Sequence, residues 1–504
     1  MDYILQEKDE LVMAESVEQI DPTETLTTDT IKARAVKGAA ILTGRMILIQ
    51  PINFFSMVLL TAFLTPIEFG IYFVVSAIKN FLSYFSDIGF APALIQKKEK
   101  LESIELKTIF TAQQALILLL LLIVFLATPF IQNIYHLNQQ AVYLLWALLF
   151  SLFISSLKTI PSVILERKLE FNKWVIPQIC ETIIFNLIVV FLAWQGFGLT
   201  SYTVAVVVSG LVGLVLIYVV SPWLPGIAFS VKAFKSVLKY GIPYQMNTLL
   251  AMIKDDGMIL LLGAIIGPAG VGFLGWAQKW AYAPLRFFMD QVIKVTFPAF
   301  SRLQDSRKDL SDLVGKSIFF VCLFVFPSLI MLVLVAPALV AVIPKYIKWS
   351  PALFALSILA VTSGLAAITT PLTNTLNAIG KISVTFKLMI MWTILTWIFV
   401  PLSAFLYGVN GAAVGFTAVG LSSFIALFAV SKYVDINYRQ AVGKPLLASA
   451  IMGVSVFLAK NFLPVSFQQV ILMAVVGLVS YFVIILLLEP KLVTLAKNQF
   501  RKKQ

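Results

Sequence analysis

This chain is nearly empty of the residues on which soluble catalysis usually depends. Among 504 residues there is one histidine, His136, and there are two cysteines, Cys180 and Cys322. A lone histidine excludes a histidine metal cluster, and His136, in a short polar loop, has no evident partners for a nucleophile–histidine–carboxylate triad. Two cysteines, each inside an apolar run, exclude a disulfide framework and a thiolate metal site. Charge is scarce too: Asp, Glu, Lys and Arg make up 12% of the chain, against about 25% in soluble domains. Gly315-Lys316-Ser317 ends like a phosphate loop, but Leu310 stands where that loop needs glycine. Large polar loops are missing as well, so no carboxylate pair sits where glycosidic chemistry could be housed. These absences argue against an enzyme, a metal and a cofactor.

What the chain has is apolar length: 60% of its residues are hydrophobic. Runs of about 20 apolar residues, enough to cross a bilayer, recur near 38–63, 67–90, 107–130, 139–160, 174–194, 200–221, 237–262, 269–293, 314–336, 352–376, 383–406, 411–431, 445–461 and 467–487. The expected fold is an all-α polytopic membrane protein of about fourteen helices. Placing the N-terminus in the cytoplasm puts 30 of the 38 Lys and Arg residues on one side and only Lys345, Lys348 and Lys460 on the other. By the positive-inside rule both termini are cytoplasmic. That distribution also assigns the formal charge of +13 to membrane topology rather than to nucleic acid. Residues 1–30 carry nine acids against Lys8; they read as a solvated tail without the basic start and apolar core of a signal peptide.

The other five cations, Arg45, Lys79, Lys254, Lys279 and Arg286, lie inside spans. A charge at the bilayer centre costs about 2.5–3.5 kcal/mol on insertion scales, so it needs a partner or a wet cavity. Gly272, Gly275, Lys279, Tyr282, Arg286 and Asp290 recur at steps of three and four, which is one helical stripe. Tyr244, Asn247, Thr248, Ala251, Lys254 and Asp255 make a second stripe, and Tyr72, Ser76, Lys79, Ser83 and Asp87 a third. The stripes suggest a shared lumen, basic unless Asp255 and Asp256 cancel its lysines, and hence an anionic ligand. The plainer reading of Arg286 and Asp290 is a neutralising i,i+4 pair. Glu181, alone in the fifth span, is either a proton-titratable coupling site or a side chain that snorkels to the inner interface. Ser363, Thr370, Thr373, Asn374 and Asn377 either line the cavity or satisfy helix–helix contacts.

The chain also repeats itself weakly. Thr65-Pro66-Ile67-Glu68-Phe69-Gly70 is echoed by Gly267-Pro268-Ala269-Gly270-Val271-Gly272, each joining the first two spans of a run of six. The organisation expected is an acidic tail (1–36), a six-helix lobe (37–222), a cytoplasmic connector (223–236), a second six-helix lobe (237–434), two additional helices (435–490) and a basic tail (491–504). Two such bundles in pseudo-twofold arrangement around a site is a transporter plan.

Four motifs then carry a resemblance. They are Asp87-Ile88-Gly89-Phe90-Ala91-Pro92-Ala93-Leu94-Ile95-Gln96, Glu166-Arg167-Lys168-Leu169-Glu170-Phe171, Phe297-Pro298-Ala299-Phe300-Ser301-Arg302-Leu303-Gln304, and Asp256 to Gly263 followed by Gly267-Pro268. Over about 35–490 the chain resembles the oligosaccharide flippases of the multidrug/oligosaccharidyl-lipid/polysaccharide superfamily, in the branch of Wzx-type and teichuronic-acid-exporter-like proteins. The resemblance implies a bacterial cytoplasmic-membrane protein that moves undecaprenyl-diphosphate-linked oligosaccharide to the outer leaflet by alternating access. Membrane lipids surround it, and polysaccharide polymerase and export machinery are implied partners. A diphosphate suits Arg45, Lys79, Lys254, Lys279 and Arg286. Asp87, Glu181, Asp255, Asp256 and Asp290 are candidates for coupling or charge pairing, and Tyr72, Asn247 and Tyr282 for sugar contacts. The rivals are a multidrug cation antiporter, which calls for an acidic cavity, a membrane-embedded polymerase, which calls for a large external loop, and a scaffold, which would leave the lumen charges dispensable.

Overall fold

A computed structural model describes residues 28–490 apart from Ile88 and Lys98. The acidic run of residues 1–27 and the basic 491–504 tail lie outside the described residues, as do the side chains of Tyr244 and Asn247. Among the described residues the fold is all-α. Eleven helices are long and apolar enough to cross a membrane. Backbone polar groups have no water to bond in hydrocarbon, so each crossing must satisfy them within its own helix.

The chain divides into two compact units, residues 1–260 and 261–504. The first contains α1 (Thr28–Phe63), α2 (Pro66–Asp87), α3 (Phe90–Gln96), α4 (Ser103–Tyr135), α5 (Gln139–Leu157), α6 (Thr159–Arg167), α7 (Phe171–Trp194) and α8 (Leu199–Val220). Helix α1 lies along α7. A Cβ added to Gly38 would fall 2.3 Å from the Phe171 ring, Arg34 donates to the Lys168 carbonyl at 2.9 Å, and Asn186 donates to Asn53 Oδ1 at 3.0 Å. Capping fixes the ends. Glu102 and Glu105 form a capping box at the start of α4, and Asn138 accepts the Ala141 amide at 2.9 Å at the start of α5. The outer face of α4 leaves Leu118, Leu119, Leu122, Phe125 and Leu126 exposed, the surface a lipid-facing helix presents.

Helix α9 (Val231–Arg302) is the longest element and holds two predicted stripes. It is two helices end to end, because Gly267 adopts φ 67° and ψ 171°, a conformation open only to glycine. Pro268 then occupies the first position of the second segment, where its missing N–H costs nothing. The predicted Gly267-Pro268 turn is therefore a real break. The second unit continues with α10 (Arg307–Val342), a 3-10 segment (Pro344–Ala352), α11 (Leu353–Ala378), α12 (Ile382–Leu421), α13 (Ser423–Ser431), α14 (Lys444–Ala459) and α15 (Phe467–Leu488). Helix α12 breaks at Tyr407 and Gly408, the latter at φ 60°, between the runs 383–406 and 411–431. Two bent elements each long enough for two crossings, together with α2, make the count compatible with fourteen.

The core of the second unit is apolar, with Val314, Ile318, Val321, Val325, Leu372 and Leu376 fully buried. A second cluster joins α10 to α14 and α15, where Tyr481 donates to the Leu323 carbonyl at 2.5 Å.

Candidate functional site

In the first unit, two of the sequence motifs turn out to be one piece of structure. Gly89, at φ 76°, starts α3, and a Cβ there would meet the Gly241 backbone at 2.6 Å. Asp87 accepts the Ala91 amide at 3.3 Å. Arg167, from the Glu166–Phe171 motif, donates to the carbonyls of Leu94 and Lys97, both at 2.7 Å, and of Glu99 at 3.1 Å. One guanidinium thereby ties off the carbonyl end of α3. Phe90 and Leu94 are buried against Ile160, Val163 and Ile164 of α6.

Helix α2 runs antiparallel to the first part of α9. Asn80 donates to Asp256 at 3.2 Å and Tyr84 donates to the Gln245 carbonyl at 2.6 Å. Lys79 lies close enough to Lys158 to be repelled by it and, less strongly, to Asp256 to be attracted, and Lys254 is bonded to Asp255. Asp255 thus holds Lys254, while Asp256 is held by Asn80. Arg45 stacks over Trp174 at 5.9 Å, and its buried Nε has no hydrogen-bond partner among the described residues. Tyr72 is stacked face to face on Tyr202 at 3.9 Å.

Glu181 is bonded to Lys158 at 2.5 Å, with the two side chains 27% and 17% exposed. Its carboxylate occupies the space a Cβ on Gly213 would fill, 1.4 Å from Oε1. Glycine at 213 is what lets a carboxylate enter between α7 and α8. Around this pair lies a cavity of about 360 Å³, bounded by α2, α4, α5, α6, α7 and α8. Asp87, Gln113, Glu166, Trp174 and Gln178 line it. Of these, only Asp87 was singled out as a site residue from the sequence. The adjacent amides Gln113-Gln114 within an apolar span were the available signal. Glu166 stands between the spans, and burial raises its carboxyl above the ordinary range.

In the second unit the cations are arranged differently. Lys279 and Arg286 share one face of α9, close enough to repel each other. Arg286 and Asp290 are both exposed, and no Arg286–Asp290 ion pair occurs among the described residues. The neutralising i,i+4 pair does not form here. Behind the stripe, Trp276 stacks on the fully buried Trp349 of the 3-10 segment at 5.2 Å. Tyr282 is half-buried on the same stripe.

The sequence matches the family described as "Polysaccharide biosynthesis protein" over residues 59–351. It is 24% identical over 463 residues to the succinoglycan biosynthesis transport protein ExoT of Rhizobium meliloti (strain 1021), covering 88% of this chain and 90% of that one. It is 23% identical over 416 residues to the lipopolysaccharide biosynthesis protein WzxC of Escherichia coli (strain K12), covering 82% and 84%. Among solved structures it resembles the lipid II flippase MurJ in an inward closed conformation, with a TM-score of 0.74 at 17% identity over 91% of this chain and all of that one. That likeness shows a shared fold.

Proposed function

Because this chain belongs to the polysaccharide biosynthesis protein family, we propose that it carries undecaprenyl-diphosphate-linked oligosaccharide across the bacterial cytoplasmic membrane, from the inner to the outer leaflet. Its relatives are named for succinoglycan transport and lipopolysaccharide biosynthesis, and the fold is that of a lipid II flippase. The observation that carries the reading is Arg286. It is an arginine on a membrane-crossing helix, beside Lys279 and without a carboxylate on it among the described residues. A guanidinium fork matches a phosphate bidentately, and an anionic head group would supply the missing counter-charge.

The two six-helix lobes, 37–222 and 237–434, are the proposed moving parts. Both termini are cytoplasmic on this reading, because 30 of 38 basic residues fall on that side of the expected topology. The role is transport rather than catalysis, with polymerase and export machinery acting on the delivered units. The experiment is reconstitution in liposomes holding a fluorescent undecaprenyl-diphosphate oligosaccharide, with transfer between leaflets followed by quenching. Transfer by wild type and a drop of about tenfold or more in Arg286→Ala, with folding intact, is the expected result. Failure with several glycan head groups alongside extrusion of an organic cation would assign the chain to drug export.

A further inference from the structure

Diphosphate binding leaves the cavity of the first unit unexplained. We propose that this cavity is a site for one sugar residue, neutral or amine-bearing, and that it rejects acidic sugars. Linking that sugar to a lipid-borne oligosaccharide rests on the function proposed above; the site itself does not.

Size comes first. At about 360 Å³ the cavity falls in the range of small-molecule sites. It far exceeds what one water needs or what a cation caged by oxygens at about 2.3–2.6 Å would leave. The second point is an orphan acceptor. Gln113 is 3% exposed on α4, and its buried Oε1 accepts no hydrogen bond among the described residues. Buried amide oxygens are normally paired, so an exception calls for a ligand or water. Its neighbour shows the contrast: Gln114 exchanges hydrogen bonds with Ser156 at 3.0 and 3.1 Å. Gln113 is held ready while Gln114 is used.

Charge sets the ligand class. Lys158 is occupied by Glu181. Asp87 accepts only the amides at the start of α3, and Glu166 has no cationic partner among the described residues. A lining of carboxylates, amide oxygens and hydroxyls accepts more than it donates. It therefore favours the hydroxyls of a hexose, favours an ammonium further, and repels a carboxylate. Trp174 adds an aromatic ring to the lining, with the Arg45 guanidinium over it at 5.9 Å.

The test uses the full chain in lipid nanodiscs, titrated calorimetrically with glucose, glucosamine and glucuronate, and with sodium and calcium chloride. Glucosamine and glucose should bind in the millimolar range, with glucuronate about tenfold weaker or undetectable. Gln113→Leu and Gln178→Leu should each weaken sugar binding by about tenfold. Gln113→Glu preserves the side-chain shape and should favour glucosamine over glucose, so it tests the site even if the leucine variants fold poorly. No heat with any sugar, equal binding of glucuronate, or a response to cations alone would overturn the proposal. In liposomes, free glucosamine that slows flipping identifies the glycan head group as the natural ligand. Binding without such competition upholds the site with a free sugar as its ligand. A wild type that binds sugar but flips nothing would remove the transport reading and leave the site standing.

Discussion

The two units place their charged side chains in different settings. In the first, Lys158 meets Glu181 and Lys254 meets Asp255, Lys79 lies near both Lys158 and Asp256, and Arg45 rests on Trp174 without a carboxylate among the described residues. In the second, Arg286 and Lys279 repel one another on one face, and Asp290 does not neutralise Arg286. Glu181 and Asp255 each hold a lysine in the first unit, whereas Arg286 in the second has no carboxylate on it among the described residues. The Lys158–Glu181 pair spans two elements, whereas Lys254 and Asp255 are neighbours on one helix. A guanidinium without a carboxylate is a binding group in waiting.

The largest expected effect comes from inverting the available charge. Arg286→Glu should abolish flipping in the liposome assay, by about a hundredfold or more, because it replaces attraction to a diphosphate with repulsion. Lys254→Ala should reduce it by less than about threefold, since exposed pairs contribute roughly 0–1 kcal/mol. Equal losses in both variants would erase the distinction between the units.

A middle-sized effect is expected at Lys158 and Glu181. Thermal unfolding of Lys158→Met, Glu181→Gln and the double variant should give a coupling of about 0.5–3 kcal/mol. Each single variant should be less stable than the double, because removing one partner leaves the other charge half-buried and unpaired. Additive losses would show that the pair is not energetically joined.

The smallest effect concerns Glu166. Burial raises its carboxyl in the folded state, so its contribution to stability is complete below the unfolded value of about 4.3 and is lost as pH rises through the folded value. Glu166→Gln cannot ionise. Its Tm should match wild type in acid and exceed it increasingly as pH rises, levelling off once Glu166 is fully charged. A gap that opens towards acid instead would mean that the carboxylate is stabilised where it sits.

How much of this could be read in advance depended on whether the deciding interaction was local. The Gly267-Pro268 break was legible because only glycine adopts the positive φ there and proline suits the helix start that follows. The break at Gly408 between two apolar runs was legible for the same reason. The stripes of α2 and α9 followed from helical periodicity alone. Partner choice did not: Glu181 finds Lys158 across 23 positions and Asn80 finds Asp256 across 176. The cavity was missed because Gln113 looks like one tolerated polar residue in an apolar span; its orphan oxygen exists only once α2, α5 and α7 surround it.

Sequence by itself determined the class, the apolar runs and the set of candidate charges, because hydrophobic length and the 3.6-residue period are properties of a single helix in a bilayer. Tertiary structure decided which of those charges meet one another, as Glu181 meets Lys158, and which have no carboxylate on them among the described residues, as with Arg286. That choice turns on distances of a few ångströms between helices far apart in the chain, and within one helix on whether a carboxylate four residues away turns toward its neighbour, as Asp290 does not toward Arg286.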